Sequence, residues 1–181
     1  LKIENIDNRE RKEAFDREVA VMRAGDHQNV IKLIDWKQDN KFAYLLIEFG
    51  DGGTLRSYQE RKAESFKDPK VPLSLFLQIV NGVDHLHKER RWVHADIKDT
   101  NIVIVGSIPK LIDFDLSVKY GSLSNAHGTE GWLDPQFYKA EEDTDLFTYD
   151  DKVDVYSLGV VLYQLFNGGE LPFGHGFEYR R

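Results

Sequence analysis

Apolar residues recur at Phe15, Val19 and Met22, spaced i, i+4, i+7, with Arg, Lys, Asp and Glu between them. That period predicts an amphipathic helix over 10–24. Two strand-like runs follow at 30–36 and 41–49, and Gln38-Asp39-Asn40 between them reads as a hairpin turn. The second run is apolar almost throughout at Tyr44-Leu45-Leu46-Ile47, the pattern of a strand covered on both faces. Gly50-Asp51-Gly52-Gly53 reads as a flexible crossing point, and the stretch 56–70 is polar and charged. Pro72 then opens a long helix with Leu73, Phe76, Leu77, Val80 and Val83 on one face. Short β-rich pieces at 102–105 and 110–112 precede a largely loop-like stretch over 115–150. A last helix, about 153–166, carries apolar residues on several faces and is expected to be buried all round. Helix, strands, Gly-rich joint and then mostly helix predict an α+β fold of two lobes, 1–49 and 54–181, meeting at 50–53, where a cleft would form.

Composition narrows the class. The chain has 181 residues, enough for one domain or part of a larger one, and a hydrophobic content of 41% is globular. A formal net charge of −7 argues against nucleic acid as the partner of this segment, since phosphate backbones favour clustered Lys and Arg. The absence of cysteine removes disulfides, thiolate metal sites and a Cys nucleophile. No apolar run reaches the roughly 18 residues of a membrane span. The start, Leu1-Lys2-Ile3-Glu4-Asn5, is neither a signal peptide nor a Met start, so the chain reads as a piece of a longer protein. Its expected place is the cytoplasm, or the cytosolic side of a membrane protein.

The chemistry concentrates in His94-Ala95-Asp96-Ile97-Lys98-Asp99-Thr100-Asn101. Phosphoryl transfer needs a positioned metal, neutralised phosphate charge and a carboxylate that orients the attacking hydroxyl. Asp96 can take or align the hydroxyl proton, and Lys98 can set an ammonium beside the transferring group. Asn101 offers a hard oxygen to Mg²⁺, and Asp113, after the strand-like Leu111-Ile112, offers a carboxylate.

These residues carry a resemblance. The 94–101 segment resembles the catalytic loop of protein kinases, and Asp113-Phe114-Asp115 resembles their Asp-Phe-Gly metal motif. The similarity spans nearly the whole chain. It implies ATP and Mg²⁺ as cofactors, Asp96 and Lys98 as catalytic residues, and Asn101 and Asp113 as metal ligands. Ile47 would gate the adenine pocket, with Glu48 and Gly50 in the hinge that offers backbone groups to adenine. Glu18 would pair with a strand Lys, which is either Lys2 or a residue before position 1. His94 and Asp154 would be structural supports of the loop. Lys98 and Thr129 resemble those of serine/threonine kinases, which implies protein hydroxyls as acceptors, with self-association and autophosphorylation as further expectations. Phe15-Asp16-Arg17-Glu18-Val19, Gly128-Thr129-Glu130-Gly131-Trp132 and Pro172-Phe173-Gly174 together look like the unfolded-protein-response sensor kinase–endoribonuclease family.

Departures leave a second reading open. Ala95 replaces the loop Arg that normally pairs with an activation-segment phosphate. Asp115 replaces a Gly, whose backbone freedom an ordinary residue lacks, although Asp tolerates a left-handed conformation better than most and the fold need not break, and Gln136 in Asp134-Pro135-Gln136 replaces a Glu. The phosphate-covering Gly-rich loop is absent. Without the N-terminal strands and last helices of such a domain, exposed apolar edges are expected to leave this piece poorly stable alone and a weak binder of ATP. These features suit a nucleotide-sensing module that regulates an attached domain. His85 and His87 could pair on a metal, although a satisfied or solvent-facing role is the simpler reading. Ser117, Ser122 and Ser124 are candidate phosphorylation sites, and 141–151 reads as a solvated acidic loop.

Overall fold

The computed structural model describes residues 1–24, 26–139 and 145–173. It has the α+β, two-lobed arrangement expected from the sequence. Strands β1 (Lys2–Asn5), β2 (Leu33–Gln38) and β3 (Phe42–Ile47) form an antiparallel sheet in the order β1-β3-β2. Lys2, Leu45 and Trp36 stand in register across it. Helix α1 (Arg9–Ala24) covers one face and buries Phe15, Glu18, Val19, Val21 and Met22. Phe15 meets Trp36 edge-on, with ring centroids 6.2 Å apart. The turn between β2 and β3 is fixed by Asp39, whose Oδ1 accepts the N–H groups of Lys41 and Phe42 at 2.8 Å. The sheet is covered on one side only: Ala43 and Leu45 are buried against α1, whereas Leu46 is 43% exposed. The apolar run 44–47 therefore does not mark a strand buried on both faces.

The Gly-rich joint is a tight seam, not a flexible crossing. Gly52 N–H donates to Ile104 O, and Ile104 N–H returns to Gly53 O, each at 2.9 Å. A Cβ on Gly52 would lie 2.6 Å from Ile104 Cβ, so glycine is needed for the backbones to approach. Thr54 then caps α2 (Leu55–Arg61), its hydroxyl accepting the Ser57 N–H, and so ordered helix begins within the polar stretch.

Helix α3 (Lys70–Lys88) starts two residues before Pro72, which sits in the first turn where its missing N–H costs no hydrogen bond. Its core face differs from the expected one. Leu75, Ile79, Val83 and Leu86 are buried, while Leu73 and Leu77 are 47% and 55% exposed. Helix α4 (Asp151–Phe166) packs beside α3 and buries Val153, Leu158, Val160, Val161 and Leu165. It is not buried all round, because Val155, Tyr163 and Phe166 form an exposed side. β5 (Ile102–Val105) pairs with β6 (Ile108–Leu111), and β4 (Trp92–Val93) with β7 (Val118–Lys119). β8 (Ser122–Asn125) pairs with β9 (Leu146–Tyr149), so 115–150 holds three strands instead of plain loop. Tyr149 is fully buried and Asp150 caps α4, which corrects the expectation of a solvated acidic loop for the part of 141–151 that is described; 141–144 lie outside the described residues. Among the described residues no helix is long and apolar enough to cross a membrane.

Candidate active site

The loop between β4 and β5 carries Asp96, and its shape comes from groups far along the chain. The side chain of Asp154, in the first turn of α4, accepts the backbone N–H groups of His94 (2.8 Å) and Ala95 (2.9 Å), and lies 2.6 Å from His87 Nε2. Thus His87 is a satisfied core histidine, while His85 stacks on His27 with centroids 4.7 Å apart. Ala95 adopts φ 65°, a left-handed conformation that costs an ordinary residue about 1–2 kcal/mol and that the Asp154 bond helps to hold. His94 is fully buried, its Nε2 3.1 Å from Ile112 O and its Nδ1 accepting the Asp96 N–H at 3.3 Å.

Asp96 stands at the centre of a converging set. Its Oδ2 accepts Lys98 Nζ at 2.7 Å and Asn101 Nδ2 at 2.8 Å, and its Oδ1 accepts the Thr129 hydroxyl at 2.6 Å. Lys98 Nζ also donates to Thr129 Oγ1 at 2.7 Å. Burial disfavours the Asp96 charge, but the hydrogen bonds from Lys98 and Thr129 outweigh it and hold the carboxyl below its ordinary pKa. The group is an ionised acceptor, suited to orienting a hydroxyl. With its amide nitrogen turned to Asp96, Asn101 keeps its amide oxygen for a cation.

A second cluster joins the lobes. Lys2 Nζ lies 3.0 Å from both carboxylate oxygens of Glu18, 2.9 Å from Asp113 Oδ1 and 2.7 Å from Glu4. The position that the sequence left open for the strand cation is thus filled by Lys2. Burial works against its charge, but Glu18 and Asp113 more than compensate and raise its pKa. Asp113 adopts φ 66°, whereas Asp115 keeps an ordinary backbone. The left-handed residue is the first of the motif, not the Gly-replacing third, so Asp115 needs no glycine-like freedom. Burial, then the nearby Asp113 charge, raises the Asp115 pKa. The Asn101 amide oxygen and the Asp113 carboxylate are hard oxygen donors, and among the described residues no cluster of three or more His, Cys, Asp or Glu is arranged to hold a metal ion.

Ile47 ends β3, half-buried against the core. Glu48 N–H donates to Lys32 O, and its Oε2 lies 3.0 Å from Lys110 Nζ of β6, an ion pair without hydrogen-bond geometry. Gly50 lies against Val103, where a Cβ would come within 2.9 Å.

A family model described as protein kinase domain matches residues 1–179. The chain belongs to that family. It is 29% identical over 181 residues to the serine/threonine-protein kinase CLA4 of Candida albicans, a match covering 96% of this chain and 18% of the relative. It is 34% identical over 163 residues to an Aurora kinase of Eremothecium gossypii, covering 88% of this chain and 42% of the relative. The chain therefore spans less than half the length of these relatives.

Several residues of this kinase domain that shape the site carry no local sequence signal. Arg17, beside Glu18 on α1, donates from Nε and Nη2 to Asp115 O at 3.2 and 3.0 Å and ties the helix to the metal motif. His127 holds Asn125 O and Leu116 O within 2.9 and 3.0 Å of its two ring nitrogens. Ser117 is fully buried with its hydroxyl on His94 O, which removes it from the candidate phosphorylation sites. Gln136 N–H is capped by Asp134 Oδ1 at 2.9 Å.

Glu18 yields a pH prediction. Burial pushes its carboxyl up to about 7, against the pull of Lys2. A protonated Glu18 loses its ionic hold on Lys2 and leaves it to Asp113 and Glu4, so kcat/KM for ATP in the full-length protein is expected to fall as pH drops through about 7. Glu18→Gln should lower the plateau and remove this limb; an unchanged profile would refute the assignment. The stability effect has the opposite sign. The folded state binds this proton more tightly than the unfolded chain, so the group's contribution shrinks as pH rises from its ordinary 4.5 to about 7.

Proposed function

We propose that this kinase domain transfers the γ-phosphoryl group of ATP to serine and threonine hydroxyls of proteins, itself included. The observation that carries the reading is the Asp96–Lys98–Thr129 triangle, in which each side chain is within hydrogen-bond distance of the other two. Asp96 orients the acceptor hydroxyl and receives its proton. Lys98 places an ammonium beside the transferring group. Lys2, held by Glu18, would meet the α- and β-phosphates, and the backbone at Glu48 and Gly50 would receive adenine, with Ile47 at the back of the pocket. Asn101 and Asp113 would hold Mg²⁺, which would neutralise phosphate charge.

Incubating the full-length protein with γ-labelled ATP, Mg²⁺ and myelin basic protein should give labelled phosphoserine or phosphothreonine on acid hydrolysis. Phosphotyrosine alone would overturn the acceptor class. Nucleotide binding with no transfer to any protein would favour the regulatory-module reading, for which the departures at Ala95, Asp115 and Gln136 speak.

The sequence resemblance to the sensor kinase–endoribonuclease family supports a finer reading: a kinase domain on the cytosolic side of an unfolded-protein-response sensor that self-associates. Gly174, part of the third supporting segment, lies outside the described residues. RNA cleavage by the full-length protein, increasing with its concentration, tests this.

A further inference from the structure

Gln164 lies in the last turn of α4 and is 1% exposed, with its side-chain amide and its backbone carbonyl in use. Its Oε1 accepts the indole N–H of Trp132 at 3.0 Å. Its Nε2 donates to Asp99 Oδ2 at 3.2 Å and to Gly169 O at 3.0 Å, while its backbone carbonyl accepts Gln59 Nε2 at 3.0 Å. Asp99 is itself buried; Arg56 Nε reaches the same Oδ2 at 2.7 Å, and Oδ1 has no partner. Burying a carboxylate this incompletely paired is costly, so the arrangement needs a reason beyond packing.

The two arms of the Gln164 amide lead to the two oxygens of Asp96. Asp99 lies between Lys98 and Asn101, the residues that donate to Asp96 Oδ2. The backbone N–H of Trp132, distinct from its indole N–H, donates to the Thr129 carbonyl at 3.1 Å, and the Thr129 hydroxyl donates to Asp96 Oδ1. We infer that Gln164 is a positioning residue for phosphoryl transfer, a neutral amide that sets the catalytic loop through Asp99 and the acceptor segment through Trp132. Neutrality is essential. The site requires a donor toward the Asp99 carboxylate and an acceptor toward the Trp132 indole from one side chain, which an amide supplies and a carboxylate does not. The inference rests on the transferase reading for its consequence and on local geometry for its mechanism.

The test uses the full-length protein and two independent readouts: steady-state transfer to myelin basic protein, and hydrogen–deuterium exchange of peptides covering 94–101 and 127–133. Gln164→Glu keeps the acceptor for Trp132 but sets a carboxylate against Asp99. It should speed exchange in 94–101, leave 127–133 near wild type, and lower kcat by about tenfold or more with KM for ATP within about twofold. Gln164→Glu combined with Asp99→Asn restores an amide–carboxylate pair in reverse order and should recover most of the lost kcat and loop protection. Trp132→Phe removes only the other arm and should speed exchange in 127–133 alone. Unchanged kcat and exchange in Gln164→Glu would overturn the inference, as would a double variant no better than the single one. Wild-type protein without transferase activity would instead overturn the proposed function, and the exchange pattern would still decide the role of Gln164.

Discussion

Asp96→Asn is expected to reduce phosphate transfer by the full-length protein by about 10²–10⁴-fold, the contribution typical of a positioned general base. The structure explains why so small a change acts so strongly. The Asp96 carboxylate accepts from Lys98, Asn101 and Thr129, three donors that need an anion or a lone pair. An amide presents one acceptor oxygen, turns an NH₂ group toward a donor and cannot take a proton from the acceptor hydroxyl. Nucleotide affinity should change little, because the Lys2–Glu18–Asp113 cluster is separate. Single-turnover transfer and calorimetric nucleotide binding, measured on the same preparation, separate the two. Transfer within about threefold of wild type would remove Asp96 from the reaction.

The second large effect is on stability. Asp154→Ala leaves two loop N–H groups and the His87 ring without their buried acceptor. Breaking a buried charged network by deleting one partner costs about 3–5 kcal/mol. For a domain of this size that loss lowers the melting temperature by roughly 10 °C. The bond that helps hold Ala95 in its left-handed conformation goes with it, so activity should disappear before the fold does. Asp154→Asn retains one acceptor oxygen and should lose less than the alanine variant. Thermal unfolding of wild type and both variants checks the order, and equal melting temperatures for all three would show that Asp154 is not the anchor.

What the sequence disclosed follows the range of the interactions concerned. Phe15, Val19 and Met22 announce α1 because period and burial coincide on one short helix. The residues of 94–101 announce their chemistry because the supporting donors at Lys98 and Asn101 lie within five positions of Asp96. The core face of α3 was ambiguous because Leu73, Leu75 and Leu77 place apolar residues on both sides of the helix. Only the partner across the interface selects Leu75 and Ile79. In the same way, Tyr44-Leu45-Leu46-Ile47 reads as buried on both faces, but α1 covers one side only. The Gly-rich joint looked mobile because glycine permits both freedom and close approach, and the choice depends on Ile104, about fifty residues away. Strands β7 to β9 and the Gln164 network depend wholly on distant partners, such as Gln59, which is 105 positions from Gln164.

That dependence also sets an order of events for a chain emerging from a ribosome. The sheet of β1 to β3 and helix α1 can pack once residue 47 is available. The catalytic loop, although complete in sequence at Asn101, waits for Asp154, 59 positions beyond Ala95, and for Gln164, 65 positions beyond Asp99. Contacts of such separation form late, after the loop-closure entropy between them has been met. The nascent enzyme therefore carries its chemical groups long before it can use them, and transfer activity switches on only when α4 docks.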